Sequence, residues 1–481
     1  MVTEIRPVIA VIGGSDSAGL AGIQMDSRCA QAMGVHAATV ISTVTAQNND
    51  AVYLAEPVSD RCFNEQLQAI QALPVRAIKI GVLANHWQLI LLCDWLKQAS
   101  VPVIWDPVQI STSGGLLSEL DSHLLLESLL PLVSLITPNL LELQCLTGQA
   151  NPEQGGDVLI QRGVDAVLVK GGHGEGSDST DYYRSQTETF HLNSLKRDTM
   201  NSRGTGCALA TAVCAALALE YELSDSVVIA KAAINQGLRH GYSLDLAQRG
   251  PIQIRSFPDE LQDMPLLRYE SGVEAVPTPF PDCGTLPLGL YPIVDRAVWL
   301  ERLLPLRITT VQLRIKDLTG DALRAEIHAA VSIARDYQCR LFINDYWQLA
   351  IEYGAYGVHL GQEDLHDASL AQIHAAGLRL GVSSHCHYEV ARALAIRPSY
   401  IACGPVYPTR TKQMPWRPLG IDGLQYWQRL LRDYPVVAIG GINQQRMVDV
   451  RSTGVSGIAM ISAITQADEP ERACSEMLDL T

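Results

Sequence analysis

Eight short apolar runs follow one another through the second half of the chain: Leu290 to Val294, Thr310 to Ile315, Leu341 to Asn344, Gly357 to Leu360, Leu380 to Ser383, Tyr400 to Cys403, Val436 to Ile439 and Gly457 to Ile461. Each has the length of a strand, and helix-like segments such as Asp321 to Asp336 and Tyr388 to Ala395 separate them. Eight strand-helix units in so short a stretch predict a compact (β/α)8 TIM barrel over residues 287–481, with right-handed crossovers. From Val8 to about Tyr242 a related rhythm runs through Val8 to Ile12, Ala38 to Val44, Ala77 to Ile80, Val103 to Trp105, Leu135 to Thr137 and Ala166 to Val169, alternating with Ala- and Leu-rich stretches. That pattern predicts a mainly parallel sheet covered by helices, an α/β domain over residues 1–258. Between them the rhythm fails and Pro277, Pro279 and Pro281 cluster among Glu, Asp and Gly, so residues 259–286 are expected to be a linker.

Charge and cysteine usage narrow the function. The net charge of −15 comes with no basic run, which argues against a nucleic-acid partner, since phosphate-backbone binding needs a basic surface. The first apolar run is followed at once by Gly13, Gly14, Ser15 and Asp16, so it fits neither a signal peptide nor a membrane span, and a cytoplasmic location without membrane contact is expected. Eleven scattered cysteines with no C-x-x-C pair do not form a disulfide framework. Self-association into a homo-oligomer is left open.

In a barrel the active site lies at the C-terminal ends of the strands, and polar residues gather there. Gln312, Arg314 and Lys316 alternate onto one face of the second strand's end, and Asn344 and Asp345 end the third. Asp364 follows the fourth, and hard carboxylates on neighbouring strand ends suit Mg²⁺, although each alone is equally well a helix cap. Ser383 closes the fifth strand, and Thr409, Thr411 and Lys412 lie in the Gly/Pro-shaped loop after the sixth. Gly441 after the seventh strand, and Ile461 and Ser462 after the eighth, offer backbone N–H groups for a second phosphate. His385, Cys386 and His387 look like metal ligands, but adjacent residues on a strand end point to opposite sides, and no partnering Cys or His pair with zinc spacing occurs elsewhere.

The ordered segments QLRIK, FINDYWQLA, GVHLGQEDL, GVSSH, GPVYPTRTK and VAIGGI resemble thiamine-phosphate synthase from about Gly289 to Gln466. The resemblance implies condensation of hydroxymethylpyrimidine diphosphate with thiazole phosphate, releasing pyrophosphate. It assigns Gln312, Arg314, Lys316, Asn344, Ser383 and Lys412 to the pyrimidine diphosphate, and Asp345 and Asp364 to Mg²⁺. Thr409, Thr411, Gly441, Ile461 and Ser462 are assigned to the thiazole phosphate, and Arg314, Lys316 and Lys412 to neutralising the departing pyrophosphate.

The first half has no Walker motif, but a glycine-rich turn, Arg203-Gly204-Thr205-Gly206-Cys207, runs into the Ala-rich helix Ala208 to Leu219. Gly204 and Gly206 would aim backbone N–H groups at a transferring phosphoryl group. Cys207 at a helix start is expected to have a lowered thiol pKa; the plain alternative is a small buried cysteine at a tight turn. Together with GGSDSAGLAGIQMD, TAQN, KIGV, WDPV, ITPNLLEL and VLVKGGH, the turn resembles hydroxymethylpyrimidine (phosphate) kinase, a ribokinase-like fold, over nearly all of residues 8–255. The resemblance implies an ATP-dependent kinase with Cys207 as base and Gln47, Gly14 and Asp16 around the pyrimidine. It places Asn139 and Glu142 near Mg²⁺ and phosphates, and Lys170 and Gly171 near ATP. Four positions depart from the family pattern: Arg203 replaces a histidine, Gln109 and Val82 replace methionines, and Thr112 replaces a lysine. A pyrimidine-binding scaffold without turnover and a pyridoxal-type kinase are the alternatives for this half.

Overall fold

The computed structural model describes residues 5–109, 115, 117–118, 120–172, 176–245, 248–269, 278–409 and 417–480. Two compact units emerge, residues 1–258 with 262–270, and residues 259–261 with 271–481.

The first unit is built on one sheet of ten strands: β1 (Val8–Asp16), β2 (His36–Gln47), β3 (Val52–Pro57), β4 (Val75–Ile80), β5 (Val103–Trp105), β6 (Leu135–Ile136), β7 (Ala166–Val169), β8 (Asp178–Ser185), β9 (Thr189–Leu195) and β10 (Leu266–Arg268). Their order is β10-β9-β8-β7-β6-β5-β4-β1-β2-β3. The six strands legible in the sequence form its parallel centre, with β1 between β2 and β4. β1 reads as a continuous apolar run because helices cover both faces of a parallel centre. The antiparallel strands β3, β8, β9 and β10 extend the two edges. β8 and β9 mix polar with apolar residues along their length, so the apolar-run reading passes over them.

The expected linker is corrected at both ends. Leu266–Arg268 pairs with β9, so part of residues 259–286 belongs to the first sheet. Further on, Phe280 and Cys283 are buried, the carbonyls of Cys283, Leu286 and Pro287 accept from the Arg340 guanidinium, and that of Asp282 accepts from Arg379. This stretch closes the N-terminal end of the barrel.

The second unit is a closed barrel of eight parallel strands: β11 (Gly289–Val294), β12 (Thr310–Leu313), β13 (Arg340–Asn344), β14 (Gly357–Leu360), β15 (Arg379–Ser384), β16 (Tyr400–Cys403), β17 (Val436–Ile439) and β18 (Gly457–Met460). Its interior holds three large rings, Tyr291, Phe342 and Tyr400, with Tyr400 edge-to-face against the other two and Tyr291 tilted against Phe342. Glycines on neighbouring strands make room for them. A Cβ at Gly381 would stand 2.1 Å from the Tyr400 ring, and one at Gly357 would stand 2.6 Å from Phe342.

Because the Tyr400 ring is held from several sides, Gly381→Ala should overpack the barrel and cost about 1–3 kcal/mol. Scanning calorimetry should show the second unit's transition lowered, with the first unit's transition unmoved.

Candidate functional site

The parallel strands of each unit end on one side, and the chemistry collects there. In the first unit Asp16 ends β1, Gln47 ends β2, and Asp106, Asn139 and Lys170 follow β5, β6 and β7. The Asp16 carboxylate is occupied by its own loop, accepting from the backbone N–H groups of Ala18, Leu20 and Ala21 at 2.8–3.0 Å. It holds this turn in place. Gly14 lies under the same loop: a Cβ on Gly22, whose φ is +58°, would stand 2.3 Å from the Gly14 carbonyl. The Gln47 Oε1 is buried and has no hydrogen-bond partner among the described residues, an acceptor awaiting a donor.

The glycine turn places Gly204, with φ +82°, as the cap of a helix running Thr205–Ala218, three residues earlier than the sequence suggests. A Cβ on Gly206 would face Lys170 Nζ at 3.5 Å and Asp106 at 3.7 Å, so the helix start and the strand ends share one space. Lys170 lies 2.8 Å from Asp106 and 3.6 Å from Glu142. Burial opposes its charge, but the two carboxylates outweigh that and raise its pKa. Burial also raises the Glu142 carboxyl, against Lys170. Asn139 and Glu142 cap each other reciprocally at the start of the helix Leu140–Thr147. The Gly171 N–H is taken by Asp181, which pairs with Lys231.

Cys207 corrects an expectation. It is partly exposed, yet burial pushes its thiol up to about 12, opposed chiefly by Lys79 and slightly by a hydrogen bond from the Gly22 N–H. The helix start does not by itself make a standing thiolate. The sequence reading also missed Lys79 and Asp26, which pair at 2.9 Å with Thr211 donating to Asp26 at 2.7 Å. Nothing local marks this pair, since Asp26 and Lys79 are 53 positions apart and meet only across the fold. Beside β9 and β10 lies a cavity of about 750 Å³, lined by Asn193, Lys196, Thr199, Arg239, Met264 and Arg268 among others.

At the barrel mouth, Gln312, Asn344, His359 and Ser383 stand on consecutive strands. Tyr291 and Tyr400 share a hydrogen bond of 2.9 Å, Tyr400 meets His359 Nδ1 at 2.7 Å, and His359 Nε2 meets Ser383 Oγ at 2.9 Å. The Gln312 side chain lies beside the same tyrosine hydroxyls. Burial lowers the His359 pKa to about 4, with Asp345 opposing, so the ring is neutral near pH 7. The sequence reading missed Tyr291, His359 and Tyr400, although the period-2 alternation of β11, β14 and β16 marks each as inward.

Asp345 takes φ +65°, a conformation uncommon outside glycine, at the end of β13. It contacts the Asn344 amide and accepts from Lys316 at 2.5 Å. Burial and then the neighbouring Asp345 raise the Asp364 carboxyl, which accepts from the Gly361 N–H at 3.2 Å. Two carboxylates in contact suit a divalent cation completed by phosphate oxygens. No group of three or more His, Cys, Asp or Glu placed for a metal occurs among the described residues.

Gly441, with φ +64°, packs so closely on Tyr407 and Pro408 that a Cβ would stand 2.6 Å from the Pro408 carbonyl, joining the loops after β16 and β17. Thr409 lies in the first of these loops, and Ile461 and Ser462 follow β18 beside β17. Thr411, Lys412 and Thr112 lie outside the described residues. His385 pairs with Glu389 and His387 with Tyr426, each at 2.7 Å, so the two rings have separate partners. Among the described residues no helix is long and apolar enough to cross a membrane.

Comparison with known proteins agrees with this division. Residues 16–253 match the family model of phosphomethylpyrimidine kinase, and residues 290–464 match that of thiamine monophosphate synthase. The thiamine-phosphate synthase of Serratia proteamaculans is 53% identical over 205 residues, 43% of this chain and 96% of that protein. That of Salmonella gallinarum is 54% identical over 202 residues, 42% of this chain and 96% of that protein. A Staphylococcus aureus pyridoxal kinase solved with ADP has a TM-score of 0.50 at 21% identity, covering 55% of this chain and 98% of its own, which shows the ribokinase-like fold of the first unit. The chain therefore belongs to two families at once, joining a phosphomethylpyrimidine kinase domain to a thiamine-phosphate synthase domain.

Proposed function

We propose that this bifunctional transferase carries hydroxymethylpyrimidine through two ATP-dependent phosphorylations in its first domain. The second domain joins the diphosphate to thiazole phosphate, giving thiamine phosphate and pyrophosphate in the cytoplasm. The observation that carries this reading is the gathering of polar groups at the strand ends of two domains that each match one enzyme of the same synthesis. The family model over residues 16–253 favours a pyrimidine over the pyridoxal-type alternative.

In the first domain the pyrimidine sits against Gln47, whose unpartnered Oε1 takes a donor from the exocyclic amine, with Gly14 and the Asp16 loop as walls. ATP occupies the cavity beside Lys196 and Thr199, its phosphates running toward Lys170, Gly204 and Gly206. The buried Asp106 Oδ2 has no hydrogen-bond partner among the described residues, and with Glu142 it fits Mg²⁺ bound through phosphate oxygens. Cys207, next to the N–H of Gly22 and facing Lys79, accepts the hydroxyl proton as phosphoryl transfer proceeds.

In the second domain Gln312 and Ser383, fixed through Tyr291, Tyr400 and His359, orient the pyrimidine. Arg314, Lys316, Asn344 and Lys412 take the diphosphate. Mg²⁺ held by Asp345 and Asp364 would neutralise charge on the departing pyrophosphate. The aminopyrimidine stabilises a cation at its methylene, and the neutral His359 adds no repelling charge beside it. Thr409, Thr411, Gly441, Ile461 and Ser462 hold the thiazole phosphate so that the ring nitrogen captures that cation.

Purified chain incubated with hydroxymethylpyrimidine, thiazole phosphate and MgATP should form thiamine phosphate, followed by mass spectrometry. Product only from added diphosphate would leave the synthase standing and refute the kinase. Cys207→Ala should slow phosphorylation of the alcohol by about 10²-fold or more while leaving condensation of supplied diphosphate intact. The raised Asp364 pKa means that, without metal, the carboxylate pair costs stability as pH rises through that value, and a cation relieves it. Mg²⁺ with pyrophosphate should therefore raise the barrel's melting temperature at pH 7.5. Asp364→Asn should raise the metal-free value and abolish the response; an undiminished response would remove Asp364 from the metal site.

A further inference from the structure

One buried charge in the kinase domain has no hydrogen-bond or ion-pair partner among the described residues. Arg203 is only 5% exposed, its Nε is buried without a partner, and its side chain makes no hydrogen bond or ion pair among the described residues. Burying an unpaired guanidinium is costly, and native proteins pair such groups or present them to a ligand. The position is fixed by backbone: the Arg203 N–H donates to Gly250 and its carbonyl accepts from Ile252. The charged and titratable groups facing it are Asp16, Arg249 and Cys207. Asp16 spends its oxygens on three backbone N–H groups, and Arg249 adds a second positive charge. The surroundings thus call for an anion between the Asp16 loop, where the pyrimidine is placed, and Cys207.

We propose that Arg203 binds the phosphate that the pyrimidine already carries, making the monophosphate rather than the neutral alcohol the preferred acceptor of this domain. The proposal rests on the kinase reading above and adds its substrate preference. A guanidinium suits this task because its planar donors match phosphate oxygens two at a time. In the favoured step an oxygen of the acceptor phosphate attacks the γ-phosphorus of ATP. The bond from that phosphorus to the bridging oxygen breaks, and ADP leaves with the bond's electron pair. With its second pKa near ~6, the acceptor phosphate is mostly dianionic at neutral pH and needs no base. An alcohol must lose its proton, and Cys207, its thiol pushed up to about 12 by burial, has to give up its own proton before it can take that one.

The test is kcat/KM for each acceptor, measured on the full chain at saturating MgATP by ADP release, in the wild type and in Arg203→Gln and Arg203→Lys. The wild type should prefer the monophosphate. Arg203→Gln should lower the ratio of the two kcat/KM values by about tenfold or more, chiefly through KM for the monophosphate, as loss of a charge-assisted contact implies. Arg203→Lys should fall between them. Because the guanidinium has no partner among the described residues, Arg203→Gln should also melt no lower than the wild type. A ratio within about threefold of the wild type would overturn the proposal, as would an Arg203→Gln chain that fails to fold, since that makes the residue structural. A wild type that phosphorylates neither acceptor overturns the kinase reading itself.

Discussion

Parallel strands cannot be joined by hairpins, so every strand returns through a crossover and every strand opens its C-terminal end on the same side. Both domains are organised by that constraint. In the open sheet it brings Asp16, Gln47, Asp106, Asn139 and Lys170 to one rim, although they span more than 150 positions of sequence. In the closed barrel it does the same for Gln312, Asn344, His359 and Ser383, one from each of four consecutive strands. Neither gathering requires the residues to be near in sequence. It requires only that each strand end with the right side chain.

The two rims solve their electrostatics differently. The sheet pairs most of its buried charge: Lys79 with Asp26, Lys170 with Asp106, Lys231 with Asp181. Against that background the unanswered groups stand out: Gln47 Oε1, Asp106 Oδ2 and Arg203 Nε are buried with no hydrogen-bond partner among the described residues. The barrel instead brings like charges together at Asp345 and Asp364 and holds its histidine neutral by burial. A site left electrostatically incomplete by its own protein is completed by ligand, which is how binding energy reaches the reacting atoms.

Below the barrel rim, packing fixes the polar groups. Tyr291, Phe342 and Tyr400 fill the interior because Gly357 and Gly381 leave them room, and the tyrosine hydroxyls then reach Gln312 and His359. A change at a glycine that touches no substrate is therefore transmitted to Ser383 through Tyr400 and His359. This is why the aromatic layer belongs to the site as much as to the core.

The sequence alone determined the strand pattern and most of the rim. The eight barrel strands fall where the apolar runs place them, several to the residue, because buried parallel strands are uniformly apolar and their ends carry the polar exceptions. What only the tertiary structure decided depends on distant neighbours. The half-polar antiparallel strands β8 and β9 carry no clear apolar run, and β10 emerges from a stretch that reads as linker because it is a strand only once β9 lies beside it. The Lys79–Asp26 pair, the Tyr291–Tyr400–His359 chain and the Asp345–Asp364 contact are likewise meetings across the fold. The state of Cys207 was misjudged for the same reason: a helix start lowers a thiol's pKa locally, but burial, which no local pattern reports, raises it further.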